Sequence, residues 1–189
     1  MARPRSEEKR EAILASATDL VATLGTGAPT AKIAKGAGLA EGTLFKYFAN
    51  KDELLNQLYL EIKAELASAM LESYPSKASL RERSRHVWDS FIEWGAKYPL
   101  KRNALRQLSV SERITEDSRR QGGLAFRDVS KMLEQNLAGG GPKERPPGFV
   151  GAILEALADT TLEFIARNPK QRERYKLTGF EMFWNGVGK

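Results

Sequence analysis

The stretch from residue 30 to residue 51 constrains the fold most, because it contains two short helical segments separated by a glycine. Thr30 stands where a helix N-cap is expected, and Ile33 follows at the spacing of an inward face. Gly38 then predicts the end of the first helix, since glycine adopts the left-handed backbone conformation at little cost. A second helix is expected over residues 42–48. This arrangement is typical of a helix-turn-helix.

The second helix of this pair has two faces with different chemistry. Leu44 and Phe48 are four residues apart and share one face, which predicts that they anchor the helix to the core. Thr43, Lys46 and Tyr47 share the opposite face and are expected to point outward. A helix held in this way fits the major groove of DNA, so we predict that this segment reads base edges.

The next helix begins with a sequence that suits a bound anion. Asn50 and Glu53 have the spacing of a capping box. Lys51 is a cation at a helix N-terminus, where it opposes the helix dipole, and its position is explained if a phosphate binds there. The residues predicted to contact DNA are Thr30, Lys32, Lys35, Gly42, Thr43, Lys46, Tyr47 and Lys51.

Residues 12–62 resemble the N-terminal domain of the TetR/AcrR family of transcriptional regulators. The stretches that carry the resemblance are residues 13–17, 30–38, 42–48 and 51–55. The resemblance implies an all-α homodimer that represses a promoter and releases it when a small molecule binds. Double-stranded operator DNA, a small-molecule effector and a second copy of the chain are therefore the expected partners.

Three positions depart from the family's pattern. Ala40 replaces a serine that usually caps the recognition helix, which removes about 1 kcal/mol of capping. Phe45 stands where tyrosine is common, which removes one hydroxyl that could contact phosphate. Glu41 replaces a residue that is often basic or polar, and its charge repels phosphate. We expect Glu41 to be a solvated helix start, with acceptance of a hydrogen bond from a cytosine amino group as the alternative.

The composition favours a polyanionic partner and leaves little for catalysis. The formal net charge is +6 and the isoelectric point is near 9.5. The chain has no cysteine, and its one histidine, His86, is too little for a Ser-His-Asp set. We therefore expect no enzyme activity, no cofactor and no metal site. The first ten residues lack the apolar core of a signal peptide, and we expect a cytoplasmic protein without a membrane span.

The helical pattern predicts an all-α chain of about nine helices. Residues 1–51 are expected to form the helix-turn-helix domain, and residues 52–189 a ligand-binding and dimerisation domain. A long helix from Lys51 to about Tyr74 is expected to connect the two. A seventh helix is predicted from about Ile114 to Leu137, and the glycines from Gly139 to Gly141 predict a loop.

The last two predicted helices carry apolar residues on several faces, which indicates burial on two sides. By the resemblance, they form a four-helix bundle with the same helices of a second copy. A simple hairpin within one chain is the alternative. The predicted dimer-interface residues are Val150, Leu154, Leu157, Thr161, Phe164, Phe180, Phe183 and Trp184.

The resemblance also implies a ligand cavity in the C-terminal half. An aromatic stripe formed by Trp88, Phe91 and Trp94 either lines this cavity or belongs to an ordinary core. Arg102 and Arg106 lie one turn apart and are expected on a wet surface, with contact to an anionic ligand as the alternative. The residues predicted to line the pocket are Leu66, Met70, Trp88, Phe91, Trp94, Leu105, Phe126 and Leu133.

The sequence thus favours a ligand-responsive dimeric repressor that binds a near-palindromic operator and is released by an inducer. A ligand-independent activator or architectural DNA-binding factor is one alternative, and a cavity in the C-terminal half would argue against it. A helical enzyme or interaction module with a coincidental helix-turn-helix is the other. Sequence-specific binding to a palindrome would exclude that last class.

Overall fold

The computed structural model describes residues 5–135 and 148–187, and these residues form helices without any strand. The all-α prediction is therefore confirmed. The predicted loop at residues 139–141 lies outside the described residues. The helices are α1 (Arg5–Leu24), α2 (Thr30–Gly36), α3 (Glu41–Leu44), α4 (Lys51–Leu71), α5 (Leu80–Lys97), α6 (Pro99–Ser109), α7 (Glu116–Leu124), α8 (Arg127–Gln135), α9 (Phe149–Arg167) and α10 (Arg172–Val187), with a 3₁₀ turn at Pro169–Gln171.

The described residues contain ten α-helices rather than nine, because the predicted seventh helix is broken into α7 and α8. Ala125 and Phe126 form the turn between them. Gly122 and Gly123 lower the helix propensity just before this turn. A Cβ at Gly122 would lie only 2.9 Å from Cε1 of Tyr59. Because Gly122 has no side chain, α7 can pack closely against Tyr59 of α4. The same glycine lowers the helix propensity of α7.

The chain divides into two compact units. The first contains the residues up to Glu65 together with Tyr98–Leu124, and the second contains Leu66–Lys97 and the residues from Ala125 onward. Helix α4 therefore begins in the first unit and ends in the second. The predicted functional boundary at residue 51 stays a prediction, since compactness groups α6 and α7 with the helix-turn-helix. None of the helices in the described ranges is long and apolar enough to span a bilayer.

In the first unit, α6 packs along α1, while α2 packs against α1 and α3. The apolar stripe of α4 adds to this core, with Leu55 and Leu58 buried as the sequence predicts. Arg102 on α6 is only 8% exposed, so the expectation of a wet surface for it is wrong. It lies one turn before the buried Leu105, on the face of α6 that packs inward. Arg106 is exposed, as expected.

In the second unit, α5 packs against α8, α9 and α10 around Trp88. The indole N–H of this fully buried residue donates to the carbonyl oxygen of Lys176 at 3.0 Å. Its ring stacks on Phe183 with centroids 6.4 Å apart. A Cβ at Gly179 would lie 2.7 Å from Cζ2 of Trp88 and 2.4 Å from Oγ1 of Thr161. Helices α5, α9 and α10 therefore approach one another this closely because residue 179 has no side chain.

Charged side chains also connect α5 with α10. Glu93 on α5 accepts hydrogen bonds from Arg172 and from Lys176, the latter at 3.3 Å. Burial raises the pKa of Glu93, but the hydrogen bonds and charges of Arg172 and Lys176 outweigh that effect and hold this pKa below its ordinary value. The ion pairs therefore favour the folded state when Glu93 is charged.

Candidate nucleic-acid interface

Helix α2 is capped by Pro29 and not by Thr30. Pro29 has extended backbone angles, φ −67° and ψ 134°, which suit the fixed φ of proline. Its carbonyl oxygen accepts from the N–H groups of Lys32 at 3.0 Å and Ile33 at 3.2 Å. Thr30 is the first helical residue, so the prediction of Thr30 as N-cap is wrong. Its hydroxyl donates to Oε1 of Glu41 at 2.5 Å instead of capping the backbone.

The glycine turn after α2 confirms the predicted helix end. Gly38 has φ +70°, in the left-handed region that favours glycine. Its N–H donates to the Lys35 carbonyl at 3.0 Å, and the N–H of Leu39 donates to the Ala34 carbonyl at 2.9 Å. This pair of bonds is a Schellman motif, which satisfies the last carbonyls of α2 and reverses the chain. The turn sets the direction in which the next segment leaves.

The recognition segment, residues 41–48, contains less regular helix than the sequence predicts. Helix α3 ends at Leu44, and residues 45–47 continue as turns. The N–H of Lys46 donates to the Thr43 carbonyl at 3.1 Å, and the N–H of Tyr47 donates to the Leu44 carbonyl at 3.0 Å. These i→i+3 bonds tighten the last turn. The N-cap residue Ala40 makes no side-chain capping bond, consistent with a short helix.

The recognition segment presents the two faces that the sequence predicts. Leu44 is fully buried and Phe48 is 2% exposed, so both anchor the segment to the first unit. Lys46 is exposed, and Thr43 and Tyr47 are half-buried. Of the other residues predicted to contact DNA, Lys32, Lys35 and Gly42 are exposed, and Thr30 and Lys51 are half-buried.

Nothing lies within 4 Å of a Cβ built at Gly42. The backbone at this position is therefore open to an approaching ligand. The structure brings Glu41 and Thr30 into contact across the turn, a pair that the spacing in sequence did not reveal because the bond depends on the direction of the Schellman turn.

The start of α4 is capped as predicted. The side chain of Asn50 accepts from the N–H of Glu53 at 2.8 Å. The Glu53 carboxylate accepts from the N–H of Ala49 at 2.5 Å, one residue before the position that the usual capping box would satisfy. This double cap fixes the backbone next to Lys51.

Arg113 is a second cation beside Lys51 that sequence reasoning missed. Its guanidinium makes a 2.6 Å salt bridge with Asp52, and its carbonyl oxygen accepts from the Asn56 side chain at 2.8 Å. Burial lowers the pKa of Lys51, the charge of Arg113 lowers it further, and Asp52 partly opposes both. The charges of Lys51 and Arg113 therefore repel each other at the N-terminus of α4. Their distance in sequence hides this, since only folding brings the α6–α7 connection to α4.

Comparison with known proteins agrees with this geometry. The family model described as "Bacterial regulatory proteins, tetR family" matches residues 13–58. The crystal structure of a tetR family transcription regulator from Shewanella sp. PV-4 superposes with a TM-score of 0.84 and 28% sequence identity, covering 96% of this chain and 98% of that one. Both likenesses support a TetR-family transcriptional regulator.

Two further relatives are similar to this chain over different extents. The fatty acid metabolism regulator protein of Bacillus subtilis (strain 168) is 40% identical over 52 residues, which are 28% of this chain and 27% of that protein. The match thus spans about a quarter of that curated relative. The structure of the transcriptional regulator FadR from Bacillus subtilis in complex with stearoyl-CoA has a TM-score of 0.68 and 19% identity, covering 94% of this chain and 98% of that one. The second likeness shows a shared fold.

The residues predicted to line a ligand pocket lie mainly in the core. Leu105 belongs to the first unit and is buried, and Phe126 belongs to the second unit and is half-buried. The other six are in the second unit and at most 4% exposed: Leu66, Met70, Trp88, Phe91, Trp94 and Leu133. The assignment of these eight residues to a ligand pocket stays a prediction.

The residues predicted for the dimer interface divide between core and surface. Phe164 is 47% exposed, while Leu157 and Trp184 are half-buried. The others pack inside the second unit of the same chain: Val150, Leu154, Thr161, Phe180 and Phe183. Helices α9 and α10 also carry exposed apolar residues that the predicted interface set does not include, namely Phe149, Ile153, Leu177 and Met182.

Proposed function

We propose that this TetR-family chain is a dimeric transcriptional repressor that binds a near-palindromic operator and is released by a small-molecule inducer. The observation that carries the proposal is the recognition segment: Leu44 and Phe48 are buried, while Lys46 and the backbone at Gly42 are open to solvent. To read base edges in the major groove, a short helical segment must be anchored to the protein core by its inner face.

Lys51 and Arg113 are the proposed phosphate contacts beside the recognition segment. Both stand at the N-terminus of α4, where free N–H groups already favour an anion. The lowered pKa of Lys51 reflects burial and the charge of Arg113, and a phosphate would relieve the repulsion between the two cations. Phosphate contacts of this kind position a protein on DNA without reading sequence.

The proposed dimer surface consists of the exposed apolar side chains of α9 and α10. Phe149, Ile153 and Phe164 recur at helical spacing along α9, and each is at least 36% exposed. Phe164 also contacts α10 through Tyr175, with ring centroids 5.6 Å apart. Leu177 and Met182 add exposed apolar area on α10. A patch of this kind marks an interaction surface, and a second copy is the partner that the family resemblance implies.

The proposed inducer is a mostly apolar small molecule that binds in the second unit. Trp88, Phe91 and Trp94 are buried there, and Trp88 packs against the rings of Phe180 and Phe183, so a polar ligand would leave its own groups without partners. The Bacillus subtilis FadR structure contains stearoyl-CoA, which makes long-chain acyl groups the first class to test. Helix α4 supplies residues to both units, and a ligand that changed its direction would change the recognition segment's fit to DNA.

Selection of bound fragments from random and genomic DNA tests the proposal with the full chain. A repressor of this kind should enrich a two-fold symmetric site with half-sites about one or more helical turns apart. Enrichment without symmetry would favour a ligand-independent architectural factor. Absence of any sequence preference would leave the helix-turn-helix coincidental and would contradict the proposal.

A further inference from the structure

Glu41 stands at the start of the recognition segment with its side chain held by Thr30. The Thr30 hydroxyl donates to Oε1 of Glu41 at 2.5 Å, between the first residue of α2 and the first residue of α3. Glu41 is exposed, and among the described residues its hydrogen-bond partner is this hydroxyl rather than a lysine or arginine. The carboxylate is thus oriented, but its charge is not neutralised.

An oriented carboxylate facing DNA must meet a hydrogen-bond donor, because phosphates repel it and its desolvation is costly. The base edges in the major groove offer two donors, the N4 amino group of cytosine and the N6 amino group of adenine. On adenine, the acceptor N7 lies beside the amino group and repels a carboxylate. Cytosine itself carries no acceptor on its major-groove edge, where C5–H is the neighbour of the amino group, so the carboxylate distinguishes the two bases.

We propose that Glu41 is a specificity-determining residue that selects cytosine in each half-site, with Thr30 as its positioning residue. This rests on the proposed operator binding by the recognition segment. The single proton of the Thr30 hydroxyl is used in the bond to Glu41, so Thr30 does not donate to phosphate in this arrangement. Two-fold symmetry places the selected cytosines at symmetry-related positions of the operator.

The test uses the full-length chain and sequencing of DNA selected from a randomised library. The variants are Glu41→Gln, which replaces the carboxylate by an amide of the same shape, and Thr30→Val, which removes the hydroxyl. Thr30→Ser is the conservative rescue. Glu112→Gln is the matched control, since it removes one exposed carboxylate of the first unit outside the recognition segment.

The wild-type chain should prefer cytosine over other bases at one position per half-site by about 5- to 150-fold, the range for a good base contact. Glu41→Gln should lose this preference or move it to adenine, which a glutamine amide pairs with in two bonds. It should also bind non-specific DNA more tightly, because one repulsive charge is gone. Thr30→Val should weaken the cytosine preference at that position alone, and Thr30→Ser and Glu112→Gln should retain it.

Two results would overturn the inference, and they differ from failure of the proposed function. If wild-type protein and Glu41→Gln enrich the same half-site with unchanged preference at every position, the role of Glu41 is wrong while operator binding stands. If Thr30→Val also loses preference at all other positions, Thr30 is structural and does not position Glu41. A wild-type chain that enriches no site contradicts operator binding itself and the role of Glu41 with it.

Discussion

The indole N–H of Trp88 on α5 donates to the carbonyl oxygen of Lys176 on α10, at a nitrogen–oxygen distance of 3.0 Å. The bond joins two helices that are far apart in sequence, inside a core where Trp88 has no exposed surface. It accounts for the use of tryptophan here, since phenylalanine would fill part of the space and donate nothing.

Trp88→Phe should therefore destabilise the chain by about 1–3 kcal/mol, from the lost hydrogen bond and the cavity left by the smaller ring. Urea unfolding followed by circular dichroism measures this. Trp184→Phe is the control, because Trp184 is half-buried and should lose less. Equal unfolding midpoints for wild type and Trp88→Phe would show that the bond is not important for stability.

The ion pairs of Glu93 make a small, pH-dependent contribution to stability. The folded pKa of Glu93 lies below the ordinary value of about 4.3 that applies to the unfolded chain. The unfolded chain therefore binds the proton first as the pH falls. The contribution is complete above the unfolded pKa and is lost as the pH drops through the folded pKa. Since the side chain is 55% exposed, we expect at most about 1 kcal/mol.

The free energy of unfolding of Glu93→Gln should thus fall below that of wild type at neutral pH and approach it at acid pH. Added salt should also reduce the difference. Glu72→Gln is the control, because Glu72 is an exposed carboxylate of the second unit that makes no ion pair within the part of the chain that the structure describes. The pH profile of this variant should follow wild type. A difference that grows toward acid pH would reverse the sign and contradict the assignment.

Lys51→Ala and Arg113→Ala should each weaken binding to all DNA sequences and reduce the salt slope of binding by about one unit. The reason is that each removes one proposed phosphate contact at the start of α4. Gel-shift titrations at several salt concentrations measure both quantities. Lys170→Ala, an exposed cation of the second unit, should leave the slope unchanged. Unchanged slopes for Lys51→Ala and Arg113→Ala would exclude phosphate binding at this helix start.

The helix-turn-helix could be predicted because its signals are local. Gly38 ends α2 by backbone conformation alone, and Leu44 and Phe48 reveal their buried face by spacing. The Thr30 cap was wrong because an extended Pro29 and a bond to Glu41 across the turn compete with it. The spacing of residues within one helix cannot reveal a hydrogen-bond partner such as Glu41, which comes close to Thr30 only after the chain turns.

The proposed dimer surface was harder to predict from the sequence. Helices α9 and α10 carry apolar residues on several faces, and periodicity does not say which face meets α5. Trp88 on α5 determines which face of α10 is buried, because its ring packs against Phe183 and Phe180 in the same core. Arg102 was misjudged for a related reason: α6 packs on α1, and a long side chain on that face becomes buried.

Phe164→Arg should convert the proposed dimer into a folded monomer, since it puts a charge into an apolar surface that a second copy would cover. Phe164 is 47% exposed in the single chain, so folding should survive. Phe180 is 1% exposed and is unsuitable, because a charge there would disrupt the core. Sedimentation equilibrium at micromolar concentration gives the result.

Val110→Arg is the matched control for this experiment. Val110 is 83% exposed in the first unit and lies outside the proposed dimer surface, so the variant should remain dimeric. A wild-type monomer at micromolar concentration would contradict the dimer proposal, and so would a folded Phe164→Arg variant that stays dimeric.

Release by a ligand should show reciprocity between the two binding events. If an apolar inducer lowers operator affinity by some factor, saturating operator DNA must lower inducer affinity by the same factor, typically about 5- to 150-fold. Long-chain acyl-CoA titrations followed by tryptophan fluorescence and by operator binding measure both sides. Trp94→Phe should reduce the effect of the ligand on operator binding while leaving DNA affinity in its absence near wild type. Val110→Ala should respond as wild type, because Val110 is an exposed residue of the first unit, outside both the predicted pocket and the proposed dimer surface. A ligand that binds in the second unit without changing operator affinity would separate binding from release and contradict the inducer proposal.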